Sequence, residues 1–448
     1  MKKHKCVVWI IIFLFIIASP SFTYFFLGRY VDSENYENRI MASRPVFSLE
    51  NYETFPEEYE TYYNDNIPFR NQLIRFNNSI DFFVFNQPAN ERVVIGKDGW
   101  LFYCYGTEQS LGYWDFTNDQ LQKIADNLMN TKRILEGLGI EFVLFIAPNK
   151  ETIYMDELPD YYEIRNHYTS TDQLVDYLIE NTDIRVIYPK QELLNAKRDK
   201  ADVLLYHKLD THWNVVGGYI GARILAEELG VKMPSLDEVC LEKTFSSRGD
   251  LTDMLNIEIK DGDIDYDISG VSSLNTVNEK FDLDADFIYH TAGADPRKLF
   301  VRRDSFSIAL APSLATQFEH SLWIHANDFK QQQIFDYDAD IFVLEVVERD
   351  EKLLWNFRIS YFSSLIENSG NEIKKVIITP AISKKELPYI SIYKKRNGTE
   401  ALEEIQTLKT FHEPVSLDIP NSETGEIYVN IFADELGEKV LEEGIIKY

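Results

Sequence analysis

An acid and an imidazole stand two residues apart in the run Leu204-Leu205-Tyr206-His207-Lys208-Leu209-Asp210-Thr211-His212-Trp213-Asn214. In an extended or turn segment that spacing can bring a carboxylate beside its own histidine ring. The carboxylate then fixes the tautomer and raises the basicity of the ring, which is what a general base for a hydroxyl needs. Further along, Arg302-Arg303-Asp304-Ser305-Phe306-Ser307 forms a polar knot between an apolar run and another helix-like segment. A serine there, at a strand-to-helix turn, is aimed at the carboxyl edge of an α/β sheet. Its own N–H, at a helix start, can help to hold an oxyanion. Together Ser305, His212 and Asp210 offer a nucleophile, a base and an orienting acid, the parts of an acyl-transfer site.

Each of these residues also has a plainer use. Asp210 or Thr211 could simply cap the helix that follows, with His212 a structural histidine, and Asp304 or Ser305 could cap the next one. Ser307 and Ser313 are weaker alternative nucleophiles. His207, Asp210 and His212 have the right atoms for a metal but lack an evident fourth ligand. No metal and no cofactor are therefore expected.

The elements that must position these groups alternate from about residue 118. A helix capped by Asn118 runs through Glu136, and 142–147 is a short apolar strand closed by Pro148. Residues 172–180 read as helix, 185–188 as strand and 215–229 as a helix whose Gly217, Gly218 and Gly221 permit close packing. Short apolar strands at 299–301, 322–324, 341–347 and 376–379 complete the pattern of a doubly wound α/β domain with a parallel sheet. Before it, 93–103 reads as a hairpin turning at Lys97-Asp98-Gly99.

The outline is then an anchor or signal segment at 1–28, a stalk with docking helices at 29–90, the α/β domain at 91–384 and a β-rich segment at 385–448. Residues 244–298, rich in Asp, Ser and Gly, form an acidic insertion over one face. Lys2, Lys3 and Lys5 precede the uncharged run 6–27, which is long enough to span a bilayer. The rest of the chain is thus expected outside a bacterial cell membrane on a single-pass anchor. A net charge of −28 argues against nucleic acid and anionic membrane surfaces as partners. Three cysteines, one of them in the apolar run, give no disulfide framework.

Several motifs occur together: Asp-Thr-His-Trp-Asn at 210–214, Gly-Lys-Asp-Gly-Trp-Leu-Phe-Tyr at 96–103, Ala-Pro-Asn-Lys-Glu-Thr-Ile-Tyr at 147–154, Arg-Asp-Ser-Phe at 303–306 and the Val-Val-Glu-Arg end of 341–349. In these the chain resembles the DHHW protein family, related to the alginate O-acetyltransferases AlgJ and AlgX, from about Asn35 to about Glu367. Thr211 stands where the family's name motif has its first histidine.

The resemblance implies an SGNH-hydrolase-like three-layer fold in which the Asp/His pair precedes the nucleophile, a permuted order. It implies acetyl transfer to an exported or cell-envelope polysaccharide, with a membrane-bound O-acyltransferase passing the acyl group outward. Ser305 would form the acyl-enzyme, His212 would act as base and then acid, and Asp210 would orient it. Arg303 precedes Asp304-Ser305 where SGNH enzymes have glycine, so the second oxyanion donor is left open. Asn149 and Lys150 are candidates for that role or for substrate contact. Arg303 is a further candidate for substrate contact, and Trp213 for packing or a sugar platform. A polysaccharide acetyl esterase and a catalytically silent glycan-binding or assembly protein of the same fold are the alternatives.

Overall fold

In the computed structural model of the chain, the described residues are 7–15, 19, 26, 28–30, 40–67, 69–246, 249–260, 262–283, 286–369, 373–382, 388–399 and 401–448. Much of the expected anchor at 1–28 lies outside them. Residues 7–15 form an exposed apolar helix. Among the described residues no helix is long and apolar enough to cross a membrane.

The central domain begins with α1 (Asn118–Gly137), capped by Thr117 in a capping box with Gln120, one residue ahead of the Asn118 cap expected from sequence. Its apolar stripe, Leu121, Ile124, Ala125, Leu128 and Leu135, is buried on the sheet at helical spacing. The sheet strands in chain order are β1 (Glu141–Ala147), β2 (Arg185–Ile187), β3 (Thr276–Phe281), β4 (Asp286–Thr291), β5 (Asp295–Arg303), β6 (Phe318–His325) and β7 (Ile341–Val347). Their spatial order is β2-β1-β7-β5-β6-β4-β3.

The first five in that order are parallel, as expected for strands joined by helical crossovers. The last two run antiparallel. Both come from the acidic insertion, so the sheet is mixed where an all-parallel one was expected. The turn between β3 and β4 is too short for a crossover, and a hairpin is what so short a link can make.

Three further helices, α2 (Val215–Glu228), α3 (Asp250–Leu255) and α4 (Ser307–Leu314), carry or flank the site. Helices α2 and α4 share one apolar core with one face of the sheet, and α1 belongs to the core on the other face. A Cβ at Gly218 would lie 2.6 Å from the Ala309 backbone, so this glycine lets α2 and α4 approach.

The hairpin at 93–103 forms as expected, with Asp98 and Gly99 at positive φ in its turn. The helix Arg70–Phe85 docks on the insertion through Asn78 Nδ2, which donates to Leu255 O (2.8 Å). The strand expected at 376–379 is Ile373–Pro380, and it pairs antiparallel with Phe362–Ser369 and Val415–Pro420. It therefore lies outside the doubly wound sheet, and the C-terminal sheets begin ahead of residue 385. A second sheet of Tyr389–Arg396, Glu403–Thr410, Gly425–Phe432 and Val440–Lys447 completes that segment.

Candidate active site

The loop before α2 closes on itself, with Tyr206 and Trp213 facing each other in an isolated bridge. The turn between them presents Asp210 and His212. The helix cap is supplied by Asn214, whose side chain accepts from the N–H groups of Val216 (3.0 Å) and Gly217 (3.1 Å). Asp210 is thus free for the histidine: its Oδ1 lies 2.6 Å from His212 Nδ1 and accepts the His212 backbone N–H at 2.9 Å. On the far side of the ring, His212 Nε2 lies 2.7 Å from Ser305 Oγ.

The serine sits at the tip of the turn from β5 into α4. Here too the capping role falls to a neighbour. Asp304 Oδ1 accepts the N–H of Phe306 (2.7 Å), and its Oδ2 accepts that of Val347 (2.6 Å). Capping therefore accounts for neither Asp210 nor Ser305. The two loops are tied together behind the ring, where Trp213 Nε1 donates to Phe306 O (2.8 Å) and its indole packs on the Phe306 ring.

Asp250, from the acidic insertion, reinforces this arrangement. Its N–H donates to Asp210 Oδ2 (2.9 Å). Its carboxylate accepts from Thr211 N–H (2.7 Å) and Thr211 Oγ1 (2.5 Å), and its Oδ2 is 3.7 Å from His212 Nδ1. Burial works to raise the Asp210 carboxyl, but the hydrogen bond and charge of His212 outweigh it and hold it well below the usual carboxylate range. Burial, together with the Asp210 charge, pushes the Asp250 carboxyl up. Ligand atoms of Asp210, His212 and Asp250 lie within 4.8 Å of one another, and among the described residues these three form the group that could hold a cation. His207, the third ligand weighed from sequence, instead faces Asp265 at 3.8 Å.

A second buried carboxyl underlies the serine turn. Glu345 on β7 accepts from Asp304 N–H (2.6 Å) and Ser307 Oγ (3.0 Å). Burial, then the nearby Asp304, pushes its carboxyl well above the usual range. It holds the Asp304 backbone on one side of Ser305 and the Ser307 side chain on the other. Ser307 is thereby engaged away from His212.

The four residues expected to contact substrate are all buried. Asn149 donates from Nδ2 to Gln109 Oε1 (3.2 Å) and accepts the Arg349 N–H (3.2 Å). Lys150 Nζ donates to the carbonyls of Asp210 (2.6 Å) and His207 (3.2 Å), and so props the acid turn from within. Arg303 stacks 3.8 Å over the Phe287 ring and donates to the carbonyls of Asp282, Leu283 and Asp304. Trp213 is a packing residue, as already described.

The cleft over Ser305 and His212, about 400 Å³, is lined instead by Tyr103, Tyr105, Thr211, Asp250, Met254, Arg349 and Asp350. Of these only Thr211 was singled out from sequence, as a possible cap and as the residue that replaces the first histidine of the name motif. Asp250 is one acid among many in its insertion, whereas Glu345, an acid inside a wholly apolar strand, was a signal that could have been used.

Residues 93–279 match the family described as SGNH hydrolase-like domain, acetyltransferase AlgX; the matched span holds Asp210 and His212 and ends before Ser305. The chain is similar to the "probable alginate O-acetylase AlgJ" of Pseudomonas syringae pv. tomato, at 27% identity over 208 residues, 44% of this chain and 50% of that protein. It spans about half the length of the curated relatives it matches. Among solved structures it resembles Bacillus cereus PatB1 (15% identity, TM-score 0.46, 59% of this chain and 99% of that one). It also resembles a DHHW family protein from Eubacterium siraeum (17%, TM-score 0.40, 53% and 90%). The likeness to the AlgX and AlgJ proteins read from the motifs is thus borne out.

Proposed function

We propose that the protein is an O-acetyltransferase that modifies a cell-envelope or exported polysaccharide through an acyl-enzyme on Ser305. The observation that carries this reading is the unbroken relay from Ser305 Oγ to His212 Nε2 (2.7 Å) and from His212 Nδ1 to Asp210 (2.6 Å), opening onto a cleft. The relationship to proteins named as alginate O-acetylases supports the choice of acetyl group and polymer.

In the reaction, Ser305 Oγ attacks the acyl carbonyl while its proton passes to His212 Nε2, and the carbonyl π pair moves to oxygen. Collapse of the tetrahedral intermediate breaks the bond to the leaving alkoxide, which takes the proton from His212. A sugar hydroxyl then repeats the sequence in reverse roles: His212 takes its proton, its oxygen attacks the acyl carbon, and Ser305 leaves reprotonated. Asp210 keeps Nδ1 protonated and stabilises the imidazolium throughout.

Residues 1–28 would hold the chain at the membrane with the domain outside, where a membrane-bound O-acyltransferase would deliver acetyl groups. The acidic chain favours a neutral acceptor over a uronate or teichoic acid polymer.

The test is release from a chromogenic acetyl ester, with and without a neutral oligosaccharide, by wild type, Ser305→Ala and His212→Ala. Loss of turnover in both variants together with acetylated sugar from wild type is expected. Triad-dependent release without sugar product would favour an esterase. A folded wild type with no triad-dependent acyl chemistry would favour the silent binding protein.

A further inference from the structure

With Asn149, Lys150 and Arg303 all engaged inside the protein, the donor that would face a developing oxyanion has to come from elsewhere. Two donors beside the nucleophile at the cleft carry no hydrogen bond among the described residues. The first is the Ser305 N–H. Its neighbours are taken, the Asp304 N–H by Glu345 and the Phe306 N–H by Asp304, whereas the Ser305 N–H makes no hydrogen bond among the described residues.

The second is Arg349. Its guanidinium lies 5.1 Å over the Phe306 ring, next to the nucleophile, and 5.9 Å over Tyr103. Among the described residues it forms no ion pair and donates no side-chain hydrogen bond, in a chain with a net charge of −28. It is the one cationic side chain among the described residues lining the cleft.

Its backbone is held firmly. The N–H of Arg349 donates to Asn149 Oδ1. The adjacent Glu348 Oε2 accepts from Asn149 N–H (2.7 Å) and Thr152 Oγ1 (2.7 Å). This network fixes the end of β7 beside the end of β1, so the guanidinium starts from a rigid base. A fixed, unpaired cation is the kind of group that stabilises charge appearing only in the transition state, since little reorganisation is needed when the charge forms. A guanidinium on aromatic faces also keeps its planar fork oriented.

We propose that Arg349 is a catalytic residue whose guanidinium, with the Ser305 N–H, holds the oxyanion of the tetrahedral acyl intermediate. This rests on the reading of Ser305 as the nucleophile. In the bond accounting above, the electron pair displaced from the carbonyl comes to rest on the oxygen facing Arg349, and no proton is transferred by the arginine.

The experiment uses the full-length chain and p-nitrophenyl acetate, with wild type, Ser305→Ala, Arg349→Met and Arg349→Lys compared for kcat and KM, and thermal melting as the fold control. Arg349→Met is expected to lose about 10²-fold in kcat with KM within about threefold, the pattern of an interaction made in the transition state. Arg349→Lys keeps the charge and stem but not the fork, and about a tenfold loss in kcat is expected. That variant decides the matter if the methionine disturbs folding. A kcat within about threefold of wild type in a folded variant, or a loss confined to KM, would overturn the assignment. If wild-type turnover does not depend on Ser305, the nucleophile reading fails and takes this inference with it.

Discussion

Replacing Asp210 by Asn separates this site from a simple three-residue relay. The Asp210 carboxylate faces three donors: His212 Nδ1 at 2.6 Å, the His212 N–H at 2.9 Å and the Asp250 N–H at 2.9 Å. An asparagine can keep an oxygen on only one side. If its NH2 faces Nδ1, the ring must carry its proton on Nε2 and cannot accept the one from Ser305. If the NH2 faces Asp250, two N–H groups oppose each other. In a serine protease the equivalent change costs about 10⁴-fold in kcat.

Here a second carboxylate oxygen, Asp250 Oδ2, stands 3.7 Å from the same Nδ1. At an effective dielectric of about 20, a unit charge at that distance attracts an imidazolium by ~4 kcal/mol before desolvation is counted. If a third of that survives, the effect is ~1.4 kcal/mol, about a factor of ten. The charge of Asp210 also raises the Asp250 carboxyl, so its removal favours the ionised form of Asp250. Asp210→Asn is therefore expected to lose about 10²–10³-fold in kcat and Asp250→Asn about tenfold or less. The double variant should lose about 10⁴-fold, at least the product of the two single losses. The assay is steady-state ester release at saturating substrate. A double variant no slower than Asp210→Asn would refute the idea that Asp250 shares the work.

Two further outcomes concern the buried acids. Glu345→Ala leaves the Asp304 N–H and the Ser307 hydroxyl without their acceptor, at ~1–3 kcal/mol each. Urea unfolding should show a loss of ~2–6 kcal/mol for this variant and a smaller one for Glu345→Gln; equal values would count against the bracing role. Glu351, bound by Ser170, Thr171 and Gln109, has its carboxyl pushed up to about 8 by burial. Between the ordinary glutamate range and that value the unfolded chain has lost the proton and the folded chain still holds it, so stability falls as pH rises. Glu351→Gln should remove ~1.4 kcal/mol per pH unit of that slope between about pH 5 and 8. An unchanged slope in urea midpoints across this range would contradict it.

The parts of this protein legible in the sequence are those that local rules govern. Strand β1 after Glu141, and strand β7 apart from Glu345, are apolar runs, as strands covered on both faces tend to be, and α1 shows its stripe at helical spacing. Asp210, His212 and Ser305 could be chosen because their types and the motifs around them are specific. Their meeting across the sheet edge is a tertiary fact that no spacing encodes.

The substrate candidates failed for a related reason. Lys150 and Arg303 are polar residues at strand ends, where cleft-lining groups are sought, yet each turns inward to satisfy backbone carbonyls. The edge pair β3 and β4 was hidden by an acidic, weakly periodic stretch in which only one face of β4 is buried. The same stretch concealed Asp250, whose importance comes from where α3 begins and not from its neighbours in sequence.

The most direct test of the central claim is intact-protein mass spectrometry of the chain quenched during turnover of an acetyl ester, followed by peptide mapping. A mass increase of one acetyl group, mapped to Ser305, absent in Ser305→Ala and lost on adding an acceptor sugar, is the predicted result. Turnover without such an adduct, or an acetyl group mapped to another side chain while Ser305→Ala remains active, would contradict it.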